Sequence, residues 1–291
     1  MKTKFKKILP SDFPALLKEI NDPPRELYLE GDLPRETECK FLAVVGSRKY
    51  SRYGKEACEE LIAGLAGYPI VIVSGLALGI DTIAHQSALK NNLLTIAIPG
   101  SGLDRRVLHP FSNHCLADEI IERGGCLLSE LEPECPAGLH TFPRRNRIMA
   151  GLSHATLIIE AGERSGTLIT SRLAMEYNRD VLVVPGSIFS PSSRGANSLI
   201  RQGATPINNS NDLLQALGFN LDEEEKEKQG RLFIDLSPIE QKIVGILESE
   251  SLPRDELIEV AELTTAEANI LLSTMEIKGL IKEAMGEIRL A

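Results

Sequence analysis

The sequence has few cysteines, and their arrangement favours neither a disulfide framework nor a zinc site. The five cysteines are an odd number, are widely spaced and include no C-x-x-C pair. Disulfide-stabilised domains use cysteines in even numbers, and zinc sites use closely spaced pairs. We therefore expect reduced thiols and no metal.

Long apolar runs are also missing. No stretch approaches the ~18 residues that a membrane-spanning helix needs. The basic N-terminus, residues 1–10, is not followed by the apolar segment of a secretion signal. We expect a cytoplasmic protein with no membrane span. With 291 residues, 43% of them hydrophobic, the chain can form one large domain and one small domain.

Positive charge is scarce over the whole chain, whose net charge is −9, but the acidity is unevenly placed. Residues 211–291 carry 8 basic and 18 acidic side chains, whereas residues 40–210 carry 17 basic and 15 acidic ones. The middle of the chain is therefore free to present a local basic patch to an anionic ligand.

Several enzyme motifs are absent. There is no P-loop and no G-x-S-x-G nucleophile elbow, and Gly100-Ser101-Gly102 lacks the third glycine of a dinucleotide fingerprint. Asp81 and His85 share one helix face, but no nucleophile or metal ligand accompanies them, so we expect Asp81 to orient a packed His85. The sequence thus predicts no enzymatic activity and no cofactor.

Short apolar runs alternate with amphipathic segments from Phe41 onward. The runs are rich in Val, Ile and Leu and show little polar alternation, which is typical of parallel strands covered on both faces. The pattern predicts an α/β fold, an extended Rossmann-like parallel sheet with right-handed crossovers. The predicted strands are Leu42–Val45, Ile70–Val73, Leu94–Ile98, Cys126–Leu128, Ala155–Ile159 and Val181–Val184. Helical patterns lie near 54–66, 80–90, 111–122, 144–151, 167–177 and 196–202.

Four regions are predicted along the chain. Residues 1–40 form an N-terminal extension that packs on the Rossmann-like domain of residues 41–217. Residues 218–236 form an acidic linker, because they include a charged and nearly apolar-free run. Residues 237–291 combine three helical patterns with a hairpin turn at Met285-Gly286, which predicts a small C-terminal winged-helix domain.

Two loops at strand ends combine glycine, hydroxyl and nearby arginine side chains. Gly46-Ser47-Arg48 follows the first predicted strand and precedes a helix, so we expect its amides and guanidinium to bind a phosphate with help from the helix N-terminus. Ser165-Gly166-Thr167 repeats this arrangement after a later strand. Because the carboxyl ends of parallel strands share one edge, we expect both loops at the same ligand site.

An arginine cluster starts the helical pattern near residue 144. Cations are disfavoured at a helix N-terminus, so Arg144, Arg145 and Arg147 indicate a bound anion, with Asn146 among them. Phe142 could stack a base or serve as a core residue. Asn197 and Arg201 could extend the track along the same edge.

These segments also carry a family resemblance. They are similar, in content and order, to the signature blocks of the DprA (Smf) family, over roughly residues 10–210. The blocks are Val45–Arg48, Ser74–His85, Phe142–Ser153, Gly166–Thr170, Pro185-Gly186 and Gly195–Ala204.

The resemblance implies a protein that binds single-stranded DNA, protects incoming strands during natural transformation and recombination, and loads RecA. It also implies a homodimer and makes Arg48 and the 144–147 cluster strand contacts. The winged-helix region is similar to that of some members, but its third helix carries Glu267 and Glu276 against Lys278. We therefore expect that region to contact protein and not DNA.

Two alternatives stay open. Residues 160–167 distantly resemble the phosphate-binding segment of phosphoribohydrolases, so a nucleotide-cleaving enzyme would use Glu160 with Arg145 or Arg147. A protein-interaction scaffold is the other alternative.

Overall fold

The computed structural model divides into two compact units, Met1–Phe219 and Asn220–Ala291. The residues that it describes are 5–219, 236–248, 250–261, 263–284 and 286–290. The predicted fold class is confirmed, because the first unit is built on a large, mostly parallel sheet and the second is a small winged helix. Most of the predicted linker, residues 220–235, and Met285 of the predicted hairpin turn lie outside the described residues.

Among residues 5–219, nine strands form one sheet, in the spatial order β1-β2-β6-β5-β4-β3-β7-β8-β9. The seven strands from β6 to β9 in that order are parallel, and β2 and β1 add antiparallel pairs beyond β6. The strands are β1 (Lys6–Ile8), β2 (Leu27–Gly31), β3 (Lys40–Val45), β4 (Ile70–Ser74), β5 (Leu94–Ala97), β6 (Cys126–Ser129), β7 (Ala155–Ile158), β8 (Asp180–Val183) and β9 (Thr205–Pro206).

Helices cover both faces of this sheet, as the continuous apolar strands require. They are α1 (Ala15–Lys18), α2 (Arg52–Ala63), α3 (Ile80–Lys90), α4 (His114–Glu122), α5 (Thr141–Leu152), α6 (Thr167–Glu176), α7 (Arg194–Arg201) and α8 (Ser210–Ala216). The main core joins buried side chains such as Phe41, Val73 and Ile148 to Leu17 of α1 and Leu27 of β2. The N-terminal segment is thus part of the main core.

The order of the strands reverses beside β3. The chain runs outward from β3 through β4, β5 and β6, and then returns to place β7 on the other side of β3. In open α/β sheets a crevice forms at such a reversal, beyond the carboxyl ends of the strands, and ligands bind there. The loops after β3 and β7 flank this crevice.

In the described part of the second unit, three helices pack against a three-stranded antiparallel sheet. Its buried side chains include Ile243, Leu257, Met275 and Ile288. The helices are α9 (Pro238–Leu247), α10 (Arg254–Val260) and α11 (Thr265–Ile277), and the strands are β10 (Leu252–Pro253), β11 (Ile281–Ala284) and β12 (Glu287–Leu290). In the part of the chain that is described, no helix is long and apolar enough to cross a membrane.

Candidate functional site

A cavity of about 320 Å³ opens at the carboxyl edge of the sheet, where the strand order reverses. Four segments line it: the end of β3 with its loop, the region before and at the start of α3, the start of α5, and the first turn of α6. The lining residues include Gly46, Ser47, Arg48, Asp81, Leu139, Phe142, Arg145, Asn146, Ser165, Gly166, Thr167 and Ile169. The cavity therefore brings together eight of the residues that the sequence predicts as DNA contacts.

The two predicted anion loops meet in this cavity. The Thr167 hydroxyl donates a hydrogen bond to the carbonyl oxygen of Gly46 (3.1 Å), and the Ser165 hydroxyl donates to Thr167 Oγ1 (2.9 Å). A Cβ on Gly46 would lie 2.6 Å from the Ile80 side chain, so the Gly46 backbone can pass this close to Ile80 only because the residue is glycine. The first turn of α6 lines the cavity and contributes the partial positive charge of a helix N-terminus.

The sequence predicts that the N-terminus of the helix after Gly46-Ser47-Arg48 helps to bind the phosphate. That helix is α2, and the prediction is wrong. Helix α2 begins at Arg52, beyond the Gly46-Ser47-Arg48 loop, and its N-cap residue is Ser51. Both the amide (2.8 Å) and the hydroxyl (2.6 Å) of Ser51 donate to the Glu160 carboxylate. This internal anion occupies the helix N-terminus and leaves no place for a phosphate there.

The same contacts bear on the nucleotide-cleaving alternative. Glu160 is 2% exposed, also accepts a hydrogen bond from Ser192 Oγ (2.8 Å), and does not line the cavity. Its position in the fold is that of a helix-capping residue.

Arg48 is the exposed cation of the cavity. Its guanidinium lies 4.9 Å from the centroid of the Phe142 ring, in a cation–π contact. Among the described residues, no carboxylate forms an ion pair with Arg48. Arg48 is therefore available to an external anion.

Arg145 lies at the inner wall of the cavity and is 7% exposed. Its Nη1 donates to the carbonyl oxygen of Ile98 (2.8 Å) and lies 3.8 Å from Asp81 Oδ2. A Cβ at Gly75 would lie 1.3 Å from this Nη1, so the guanidinium needs a glycine beside it. Arg145 Nε is buried and has no hydrogen-bond partner among the described residues.

Asp81 is the buried carboxylate of the cavity. Burial raises its pKa, whereas the Arg145 charge and hydrogen bonds from the Ala77 and Gly75 backbones oppose that shift. Burial also lowers the pKa of Arg145. The sequence prediction that Asp81 orients His85 is wrong, because His85 Nδ1 lies 2.7 Å from Thr95 Oγ1. Burial lowers the pKa of His85 to about 3, so the imidazole is neutral at physiological pH.

The structure separates the arginine cluster into different environments. Arg147 is 8% exposed, donates from Nη1 to the Asp22 carbonyl oxygen (2.6 Å) and pairs through Nη2 with Glu130. Arg144 is exposed and lies 3.2 Å from the other oxygen of Glu130. Neither lines the cavity. An external anion is therefore not needed to explain three arginines at this helix start, because the protein supplies its own carboxylates. That Arg144 and Arg147 contact DNA stays a prediction.

Asn197 and Arg201 lie on α7, and neither lines the cavity. The Asn197 amide bonds both backbone groups of Gly186, accepting from its N–H (3.2 Å) and donating to its carbonyl oxygen (2.9 Å). Arg201 is exposed at the end of α7. Asn197 thus holds a loop in place.

An apolar rim surrounds the cavity mouth, and only one of its residues, Phe142, was considered as a base contact in the sequence. Leu139 is 93% exposed and Ile169 is 41% exposed, and both line the cavity together with half-buried Phe142. A second hollow of about 30 Å³, lined by Leu78, His109 and others, shares Arg48 and Phe142 with the first. Leu139 lies in the loop before α5, whereas Phe142 and Ile169 lie in the first turns of α5 and α6. In a sequence such apolar residues look like core residues, so only the fold reveals that they line the cavity mouth.

Two family models together match most of the chain. The model of DNA recombination-mediator protein A matches residues 4–218, and that of the DprA winged helix domain matches residues 231–287. The chain is 45% identical over 215 residues to DNA processing protein DprA of Streptococcus pneumoniae, covering 73% of each chain. It is 41% identical over 217 residues to Protein Smf of Escherichia coli, covering 74% of this chain and 57% of that one.

Two solved structures of DNA processing proteins are similar to this chain. The X-ray structure of DprA from Streptococcus pneumoniae superposes with a TM-score of 0.69 at 41% identity, covering 76% of each chain. DNA processing protein A from Helicobacter pylori, whose structure is described for its single-stranded DNA binding mode, gives a TM-score of 0.66 at 31% identity. That match covers 74% of this chain and 96% of the other.

Proposed function

The chain belongs to the DNA recombination-mediator protein A family, also named DprA or Smf, and we propose that it binds single-stranded DNA in the cavity at the reversal of its sheet. The relative from Helicobacter pylori, described for binding single-stranded DNA, supports this proposal. From family membership we also propose that the protein protects incoming strands during transformation, loads RecA on them, and acts in the cytoplasm as a homodimer.

One exposed cation in the cavity carries the proposal. Arg48 lines the cavity, is exposed and has no carboxylate partner among the described residues. An arginine side chain can donate two hydrogen bonds to one phosphate group. Together with the partial positive charge at the first turn of α6, the Arg48 guanidinium matches a phosphodiester group.

The apolar rim favours a single strand over a duplex. In a duplex the flat faces of the bases are stacked and paired, so Leu139, Phe142 and Ile169 could not reach them. In a single strand the bases can turn away from the phosphates and contact these side chains. Phosphates on the cavity donors and bases on the rim account for both features of the site.

We propose that the site does no covalent chemistry. The cavity hydroxyls are engaged with their own neighbours: Ser47 donates to the carbonyl oxygen of Lys49, Ser165 to Thr167, and Thr167 to Gly46. No histidine lies among the lining residues to act as a base toward them. Activated nucleophiles need such a base within hydrogen-bond reach.

Fluorescence anisotropy with labelled oligo-dT and with a duplex of equal length tests the proposal. We expect the single strand to bind more tightly. Removing one stacked base contact costs ~1–3 kcal/mol, so Phe142→Ala should weaken single-strand binding about tenfold. Leu94→Ala, an exposed leucine at the opposite edge of the sheet, is the matched control and should bind as the wild type does. Equal affinity for duplex and single strand would contradict the proposal.

A further inference from the structure

The loop between β8 and α7 presents two apolar side chains to solvent. Ile188 is 75% exposed and Phe189 is 87% exposed, at adjacent positions in a connection that otherwise contains small residues. The cavity does not include them. Exposed, adjacent large apolar side chains at a loop tip suggest a contact surface.

This loop is held by many hydrogen bonds at its base. Asn197 bonds both backbone groups of Gly186, and the Tyr53 hydroxyl donates to the carbonyl oxygen of Pro185 (2.6 Å). At the other end, Ser192 Oγ donates to Glu160 (2.8 Å), which itself caps α2. A tip held in this way loses little conformational entropy when it binds a ligand.

The tip itself is also ordered by its own backbone. The amide of Phe189 donates to Ser187 Oγ (3.2 Å), and the amide of Ser190 donates to the carbonyl oxygen of Ser187 (3.0 Å). These bonds use the polar groups of the loop internally and leave the ring of Phe189 facing outward. The loop is therefore built to display an aromatic face.

The loop lies at the same sheet edge as the cavity. Strands β3, β7 and β8 are consecutive neighbours in the sheet, so their ends are separated by about 10 Å, or two strand spacings. The segments after β7 and β8 are in contact, because the amide of Gly195 donates to the carbonyl oxygen of Ala161 (2.8 Å). Since stacked nucleotides rise about 3.4 Å each along one strand, about three of them cover this distance.

The charges near the loop suit the same ligand. Arg164 is exposed on the segment after β7, and Arg194 at the start of α7 has a side chain that is 54% exposed. Glu163 lies 4.0 Å from Arg194, in an ion pair that solvent screens. An aromatic face with flanking arginines is the arrangement that stacks bases and follows a phosphate backbone.

We propose that Phe189 is a second base-stacking platform for the strand whose phosphates bind in the cavity, and that Asn197 is the positioning residue that holds it there. This inference rests on the proposed function. The DNA strand then crosses the loop after β7, from the Arg48–Phe142 pair to Phe189. Asn197, predicted from the sequence as a DNA contact, acts in this arrangement through the loop and not through the strand.

Anisotropy with oligo-dT measures the contribution of the platform. We expect Phe189→Ala to weaken oligo-dT binding about tenfold, because one stacked base contact is lost. Asn197→Ala should also weaken oligo-dT binding. Leu94→Ala again serves as the matched control. Because Phe189 is exposed, its removal leaves the core intact, and an unchanged thermal midpoint confirms that the variant is folded.

Photocrosslinking distinguishes a platform from a merely structural loop. With 5-iododeoxyuridine placed along oligo-dT, we expect crosslinks in the tryptic peptide of residues 180–194, which contains Phe189, and in that of residues 124–144, which contains Phe142. Asn197→Ala should abolish the first crosslink and keep the second.

The failures are distinguishable. If the wild type binds oligo-dT and crosslinks only through residues 124–144, and Phe189→Ala binds equally well, the platform is overturned while the proposed function stands. If Phe189→Ala instead lowers the mass of the protein in sedimentation without changing its DNA affinity, the tip is a protein interface and the platform is again overturned. If the wild type does not bind oligo-dT at all, both proposals fail.

Discussion

Charged residues at the site separate into those that face an external ligand and those that hold the fold. Arg48 is exposed beside Phe142, whereas Arg145 and Arg147 are buried against Asp81, Asp22 and Glu130. A sequence shows the arginines but not the carboxylates that meet them, because the partners lie far away along the chain. Mutations at these arginines should therefore have different kinds of effect.

Arg145→Ala should mainly destabilise the fold. It leaves the buried Asp81 carboxylate without its cation, and breaking a buried pair in this way costs about 3–5 kcal/mol. Urea denaturation should show this loss, whereas Arg48→Ala should unfold at the same urea concentration as the wild type. The double variant Asp81→Ala/Arg145→Ala should recover part of the loss. A stable Arg145→Ala protein would show that the pair contributes little to the fold.

Among the secondary-structure elements, six of the seven parallel strands, β3 to β8, and the helices that follow them were predictable because each of these strands is largely an apolar run. The seventh, β9, is the exposed pair Thr205–Pro206 and was not predicted. The structure places β3 at Lys40–Val45 and β4 at Ile70–Ser74, within two residues of the predicted bounds. Strands β1 and β2 were missed, because one has three residues and the other contains Glu30, which is buried and pairs with Arg105 (2.9 Å). A buried charge in a short strand hides the apolar pattern.

Part of the candidate site was also predictable from local sequence patterns. Glycine and hydroxyl residues after β3 and before α6 mark the cavity, because simple helical or extended segments rarely need them at those places. The apolar rim and the partners of the arginines depend on contacts between distant segments. No local pattern specifies them.

Helix α9 starts with a capping box, in which the Ser237 side chain accepts from the amide of Glu240 and the Glu240 side chain accepts from the amide of Ser237. Glu240 accepts hydrogen bonds from the amide of Ser237 (2.8 Å) and from Lys278 Nζ (2.7 Å). These bonds, the one to Lys278 foremost, lower the pKa of Glu240 to about 2. The carboxylate thus ties α9 to the end of α11.

A pH dependence of α9 follows from this pKa. A depressed carboxyl pKa stabilises the folded state above its ordinary value of 4.5, and that stabilisation is lost as the pH falls toward about 2. We expect protection of residues 238–247 from hydrogen exchange, corrected for the intrinsic rate, to fall over this window. In Glu240→Gln the protection of residues 238–247 should be lower than in the wild type at pH 6. It should then change little as the pH falls from 4.5 toward about 2. Equal profiles for the two proteins would contradict the role of this pair.

At the scale of the whole molecule, the two units differ in charge. Residues 220–291 carry 8 basic and 17 acidic side chains, a net charge of −9, whereas residues 1–219 carry 24 of each and no net charge. In the described part of α11, the helix that enters the major groove in many winged helices, Glu267 and Glu276 are the charged side chains. We infer that the second unit does not contribute phosphate contacts.

A chain that ends at residue 219 tests this division. Removing residues 220–291 takes away the whole net negative charge of the chain, so oligo-dT affinity should equal that of the full chain or be a few-fold tighter at low salt. The difference should shrink as salt screens the repulsion, with a Debye length of about 10 Å at 0.1 M. Anisotropy titrations of both proteins at several salt concentrations provide the measurement. A drop in affinity of tenfold or more would show that the second unit binds DNA.

The central claim is that Arg48 contacts a phosphate of single-stranded DNA in the cavity. The most direct measurement is the slope of log affinity against log salt concentration for oligo-dT, in the wild type and in Arg48→Ala. Each phosphate contact on a single strand contributes about 0.7 to that slope. We predict weaker binding by Arg48→Ala and a slope that is shallower by about 0.7. An Arg48→Ala protein with the affinity and slope of the wild type would contradict the account.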